Sequence, residues 1–136
     1  MEHETFTGSC LCGAVRFELN APPSELLRCH CRMCQKAHGA EFATFARFAH
    51  DDWRIIAGED DIAEYRSSSA ARRTFCRQCG SALQFIRDGK ETFGLALSAL
   101  DTPLPSMPLH DYHAGSACEP YSGELWFPGV TGAGVR

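Results

Sequence analysis

A mostly β domain of short strands with little helix is the fold class this sequence predicts, and three features carry the prediction. Val15, Phe17 and Leu19 alternate with Arg16, Glu18 and Asn20, the period of two that marks a half-buried strand. Leu83 and Phe85 precede, and residues 92–97 follow, the dipeptide Asp88-Gly89, which supplies the positive φ angles of a tight hairpin turn. Helix is confined to about one turn over residues 35–38, which Gly39 stops.

In chain order, Phe6-Thr7-Gly8-Ser9 leads into Cys10-Leu11-Cys12-Gly13, and the first alternating strand then runs to Pro22-Pro23. Leu26-Leu27-Arg28 is a short extended approach to the block Cys29-His30-Cys31-Arg32-Met33-Cys34. Phe42, Phe45 and Phe48 recur every third residue, which suits a helix face and a strand equally, so the periodicity leaves this segment open. Residues 53–57 and 62–66 read as two strands joined by the acidic turn Gly58-Glu59-Asp60-Asp61. Ser67-Ser68-Ser69 is a loop, and Arg72-Arg73-Thr74-Phe75 runs extended into Cys76-Arg77-Gln78-Cys79-Gly80. Three prolines make residues 100–108 an irregular connector, residues 110–121 resist assignment, and residues 129–136 read as a loose tail. With no repeat or linker, the expectation is one domain over residues 1–136 with its core over about 6–128.

A net charge of -4 and a pI near 5.8 argue against a general nucleic-acid partner, because such binding needs a surplus of Lys and Arg to neutralise phosphates. No apolar run approaches the roughly 18 residues of a membrane span. The start, Met1-Glu2-His3-Glu4-Thr5, has neither the positive nor the apolar region of a signal peptide, so the expected location is cytoplasmic, with no membrane partner. Thiols stay reduced there, and closely spaced cysteines then bind metal or do redox chemistry more often than they form disulfides. Zinc is the favoured metal for the eight cysteines, although iron-sulfur clusters share the ligand set.

The cysteines divide by ligand count. Cys76 and Cys79 straddle a turn that Gly80 can close in the left-handed conformation, and such a pair supplies half a tetrahedron. Cys10 and Cys12, leading directly into a strand, are the best candidates for the other half; spacing alone also allows them to pair with the triplet, but five ligands around one zinc would leave one idle. Cys29, Cys31 and Cys34 remain, three ligands that leave a fourth position open, as catalytic zinc sites do. Three thiolates on Zn²⁺ make a formally negative site, a weak Lewis acid toward water that suits a substrate thiol better. Such a thiol would lose its proton and attack a small electrophile as thiolate. Arg32, Lys36, Arg72 and Arg73 could offset the charge and hold an anionic thiol, Arg32, Lys36 and Arg73 being the substrate-binding candidates. His30 is assigned packing or a supporting contact, His110 and His113 could serve as a ligand or a general base, and Cys118 is a lone late thiol.

These residues in this order resemble the glutathione-dependent formaldehyde-activating (GFA) family, whose domain is also found in centromere protein V. The resemblance rests on residues 8–17, 29–40, 65–68 and 73–81, with the cysteine blocks Gly8-Ser9-Cys10-Leu11-Cys12-Gly13, Cys29-His30-Cys31-Arg32-Met33-Cys34 and Cys76-Arg77-Gln78-Cys79-Gly80-Ser81 at its centre. It implies a zinc-stapled fold of several coiled antiparallel β-sheets, with two zincs per chain: Cys10, Cys12, Cys76 and Cys79 hold a structural one, and Cys29, Cys31 and Cys34 hold a second. The implied activity is of carbon-sulfur lyase type, the reversible condensation of formaldehyde with glutathione to S-(hydroxymethyl)glutathione. The chain departs from the family near its end, where an aromatic residue is expected after a Gly-Ser-centred segment and Gly115-Ser116-Ala117-Cys118 stands, with Tyr121 and Trp126 beyond. Two other classes compete: a non-catalytic zinc module for protein contact, and a thiol redox enzyme with Cys118 as nucleophile, suggested by the related zinc-held β fold of methionine sulfoxide reductase B.

Overall fold

A computed structural model describes residues 4–118, so Tyr121, Trp126 and the expected tail over residues 129–136 lie outside the described part. Among the described residues, ten strands form two sheets. The smaller sheet is antiparallel in the order β1 (Phe6–Ser9), β2 (Arg16–Leu19), β5 (Trp53–Ala57). The larger has seven strands in the order β10, β3, β4, β9, β8, β7, β6, where β3 is Glu25–Cys29, β4 Ala43–Ala49, β6 Ile62–Ser68, β7 Ala71–Cys76, β8 Ala82–Arg87, β9 Thr92–Ala96 and β10 Leu109–Tyr112.

The strands of residues 53–57 and 62–66 both form, yet they do not pair. Gly58 sits at φ 81° and opens a short 3₁₀ turn that carries the chain from the small sheet to the far edge of the large one. The Asp88-Gly89 hairpin forms between β8 and β9, with Phe85 opposite Gly94. The segment left open by its repeat of three is strand β4. In a strand that repeat places Phe45 on one face and Phe48 on the other, and both faces are covered, so Phe45 and Phe48 are each buried. Two expectations need amending at the chain's ends of order. Ser67 and Ser68 belong to β6 rather than a loop, and residues 109–112 form β10, which joins β3 in parallel, the single parallel pairing among the described strands.

The main core lies between the sheets. Phe6, Phe17 and Leu19 from the small sheet, with Val15 just before β2, meet Phe48, Phe93, Leu83 and Leu95 from the large one, all essentially inaccessible to water. Burying a side chain of that size contributes roughly 1.5–3 kcal/mol. Cys10 and Cys76 are part of this core. A second, smaller apolar cluster forms on the other side of β4, from Leu27, Phe45, Ala43, Cys29 and Cys34, with Phe85 and Cys31 against it.

The one α-helix among the described residues, α1 (Arg32–His38), starts three residues earlier than expected because the Cys31 thiol caps it, accepting the Cys34 backbone N–H at 3.3 Å. Gly39 closes it in the left-handed conformation at φ 59°. No helix among the described residues is long and apolar enough to cross a membrane.

Candidate metal centres and the adjoining cavity

Cys10, Cys12, Cys76 and Cys79 converge, with their sulfur atoms all within 4.8 Å of one another. Cys10 Sγ lies 3.6 Å from Cys12 Sγ, and Cys12 Sγ lies 3.8 Å from Cys76 Sγ. Tetrahedral zinc with Zn–S bonds of about 2.3 Å requires sulfur separations of about 3.8 Å, so the donor set fits such an ion. The local backbone is arranged for sulfur bearing negative charge. Val15 N–H donates to Cys10 Sγ at 3.2 Å, and Gln78 N–H donates to Cys76 Sγ at 3.3 Å. Each of these amides belongs to the turn or strand that carries the cysteine, so folding the two segments builds the cluster.

Cys29, Cys31 and Cys34 form the second cluster, again with all sulfurs within 4.8 Å of one another. Cys29 ends β3, Cys31 caps α1, and Cys34 occupies the first turn of that helix. The strand end and the helix start thus aim three thiols at one point, a set that fits a metal ion with one position left over. Burial pushes the Cys34 thiol up to about 12; the Arg73 guanidinium opposes this, with Nη2 3.6 Å from Cys34 Sγ, and the thiols of Cys29 and Cys31 add to it. Cys31 moves down despite its burial, chiefly because the Cys34 N–H bonds its sulfur.

A cavity of about 370 Å³ opens beside the triplet. Its wall includes Cys29, Cys31 and Cys34, the apolar Leu27, Phe45 and Phe85, the cations Arg47, Arg73 and Arg87, and Tyr112 and His113 from the end of β10. Gly94 leaves room there, since a Cβ at that position would stand 3.1 Å from the Phe45 ring. Arg73 and Arg87 bracket Phe85, their guanidinium carbons 4.8 and 5.5 Å from the ring centroid.

The other residues singled out from the sequence, except His113, fall elsewhere. Arg32 binds the Gln35 side chain, and Arg32, Lys36 and Cys118 line a shallow depression on the outer side of α1, away from the triplet cavity. Arg72 is held by Glu64 and Asp88 on the β6 and β7 edge. His30 faces Asp111, with Nε2 2.8 Å from Oδ1, and packs on Phe42, while Arg28 grips the same carboxylate. His110 meets Glu25, which also accepts from Tyr112 Oη and Arg47. His113 lies in the cavity wall. Arg47, Arg87 and Tyr112 were not among the expected site residues. Period-two counting reveals the arginines, because Arg47 shares a strand face with Phe45, and Arg87 with Phe85.

Fold and site together define a two-sheet protein with a closed four-cysteine cluster and a three-cysteine cluster open to a cavity. A family model described as glutathione-dependent formaldehyde-activating enzyme matches residues 5–115, and the chain belongs to this family. It is 33% identical over 109 residues to a Halomonas elongata protein provisionally named a glutathione-dependent formaldehyde-activating enzyme, covering 74% of this chain and 69% of that one. It is 30% identical over 89 residues to a Schizosaccharomyces pombe protein named an uncharacterized lyase, covering 65% of this chain and 63% of the relative. The crystal structure of a Rhodobacter sphaeroides protein is also similar, with a TM-score of 0.61 and 27% identity, over 76% of this chain and 98% of that one.

Proposed function

We infer that the protein is a zinc-dependent enzyme that joins a small thiol, such as glutathione, to a small aldehyde, such as formaldehyde, in a reversible carbon-sulfur bond-forming reaction. The observation that carries this reading is the contrast in donor number. Three convergent thiols border a cavity and leave a fourth tetrahedral position for a ligand, whereas the other four thiols complete a tetrahedron among themselves. In this reading Cys10, Cys12, Cys76 and Cys79 hold a structural zinc, and Cys29, Cys31 and Cys34 hold the second. A zinc ion held by the triplet would supply an open fourth position at which a substrate thiol gives up its proton.

The chain's own residues do the rest. Arg73, beside Cys34, offsets the negative charge gathered by three thiolates. Leu27, Phe45 and Phe85 line the cavity with apolar surface and keep bulk water from the reacting sulfur. The sulfur bonds to the aldehyde carbon as the carbonyl π pair moves to oxygen, and the proton lost by the thiol balances the one gained there. His113 in the wall is the imidazole placed to exchange that proton. Family membership and the names of the relatives support the thiol and aldehyde assignment.

The test is the rate of exchange between formaldehyde and glutathione, followed by NMR above the spontaneous background. Wild-type protein accelerates it, and Cys31→Ser does not. Undiminished acceleration by Cys31→Ser would exclude this mechanism.

A further inference from the structure

Three buried polar side-chain atoms lack a hydrogen-bond partner among the described residues: Arg73 Nε, Arg73 Nη1 and Ser67 Oγ. Both residues belong to the wall of the triplet cavity. A buried donor left unmade is costly, and more so on a charged group, so three in one wall call for a ligand rich in acceptors. The charge of the wall agrees. It contains Arg47, Arg73 and Arg87 and, among the described residues, no Asp or Glu, although the chain as a whole carries a net charge of -4. Arg47 is already committed to Glu25 at 3.0 Å, whereas Arg87 makes none of the ion pairs formed by the described residues. Arg73 and Arg87 therefore have donors to offer, and their bracketing of Phe85 fixes them on one side of the cavity.

We propose that this wall selects the thiol by its carboxylates, through Arg73 and Arg87, and leaves any ammonium group of the substrate unrecognised. The inference rests on the reading of the triplet as a thiol site and adds the rule by which thiols are chosen. An anion is recognised because the buried Arg73 donors have no internal partner and Arg87 adds an exposed guanidinium beside them. An ammonium is not, because no described wall residue offers it a carboxylate. The substrate class is then the anionic mercapto-carboxylates of tripeptide size or smaller, which a cavity of about 370 Å³ accommodates. Glutathione qualifies by its two carboxylates, and its amino group is dispensable.

The experiment is calorimetric titration of the zinc-loaded full chain with four thiols: glutathione, its des-amino analogue, its dimethyl ester and cysteamine. The des-amino analogue should bind within about fivefold of glutathione, the range of a solvent-exposed charge contact. The dimethyl ester should bind about tenfold more weakly or worse, since it removes charge-assisted hydrogen bonds, and cysteamine weakest of all. Arg87→Gln, on an exposed side chain that the fold does not need, should weaken glutathione and leave the ester unchanged. Arg73→Gln should do the same more strongly. Equal binding of glutathione and its dimethyl ester would overturn the anion rule while leaving the thiol site intact. A loss of tenfold or more for the des-amino analogue would overturn the claim about the ammonium. Failure of all four thiols to bind would refute the thiol site and this rule with it.

Discussion

The two cysteine clusters set the same side chain in different surroundings. Cys12 and Cys76 are 64 residues apart in sequence, so a metal ion held by the four cysteines would fasten the small sheet to the large one, and two of the four are part of the main core. The triplet spans six residues at one strand end and one helix start, fastens nothing distant, and sits in its own small apolar cluster beside a cavity. A site that closes a long loop contributes to the stability of the whole domain. One that is local in sequence can exchange what it binds while the fold stays intact. In the proposed reading, donor number and position in the fold together divide structure from reactivity.

Breaking the first cluster should have the largest effect. Cys76 is fully buried, and structural zinc is worth about 10–16 kcal/mol in small zinc-held peptides, as much as the roughly 5–15 kcal/mol that holds a whole domain together. Cys76→Ser should therefore give no cooperative thermal transition by circular dichroism. Cys31→Ser, in contrast, should keep a cooperative transition while losing all acceleration of the thiol and aldehyde exchange. If both variants unfold alike, the division of labour is wrong.

A subtler lesion separates stability from reaction. Gly58 packs under the first cysteine turn, where an added Cβ would stand 2.0 Å from the Ala14 carbonyl oxygen, and its φ of 81° disfavours any side chain. Gly58→Ala should lower the melting temperature by about 5 °C or more, since left-handed strain alone costs about 1–3 kcal/mol. It should leave the exchange rate per folded molecule near that of the wild type. His113→Asn should do the reverse, slowing the exchange about tenfold or more while the melt is unchanged, as expected for loss of a proton-transfer group.

The smallest effect concerns the β10 edge of the cavity. Hydrogen bonds from His110, then Tyr112 and Arg47, hold the Glu25 carboxyl down at about 2 from its ordinary 4.5, against the effect of burial. A depressed carboxylate stabilises the fold above its unfolded-state value, and that contribution is lost as pH falls from there toward 2. Amide hydrogen exchange in residues 109–112 should therefore rise between about pH 4.5 and 2, beyond the intrinsic pH effect, and Glu25→Gln should show that faster exchange already at neutral pH.

Much of this was legible in the residues themselves. The strand of residues 16–19, the Asp88-Gly89 hairpin and the four-plus-three grouping of thiols follow from period, turn chemistry and ligand count. What stayed hidden depends on long-range pairing. Nothing local says that β5 and β6 part to different sheets, or that residues 109–112 add in parallel to β3. Two of the three cavity arginines, Arg47 and Arg87, were missed for a related reason, while Arg73 was expected. Arg32 and Lys36 are near the triplet in sequence, but the helix carries them to its outer side, whereas Arg47 and Arg87 are brought in by strands β4 and β8.

Two independent zinc sites in one fold are tested by the zinc content per folded chain of wild-type and Cys31→Ser protein purified under reducing conditions. Two ions in the wild type and one in the variant are predicted, with both proteins folded. A single ion in the wild type, or two in the variant, would contradict the account.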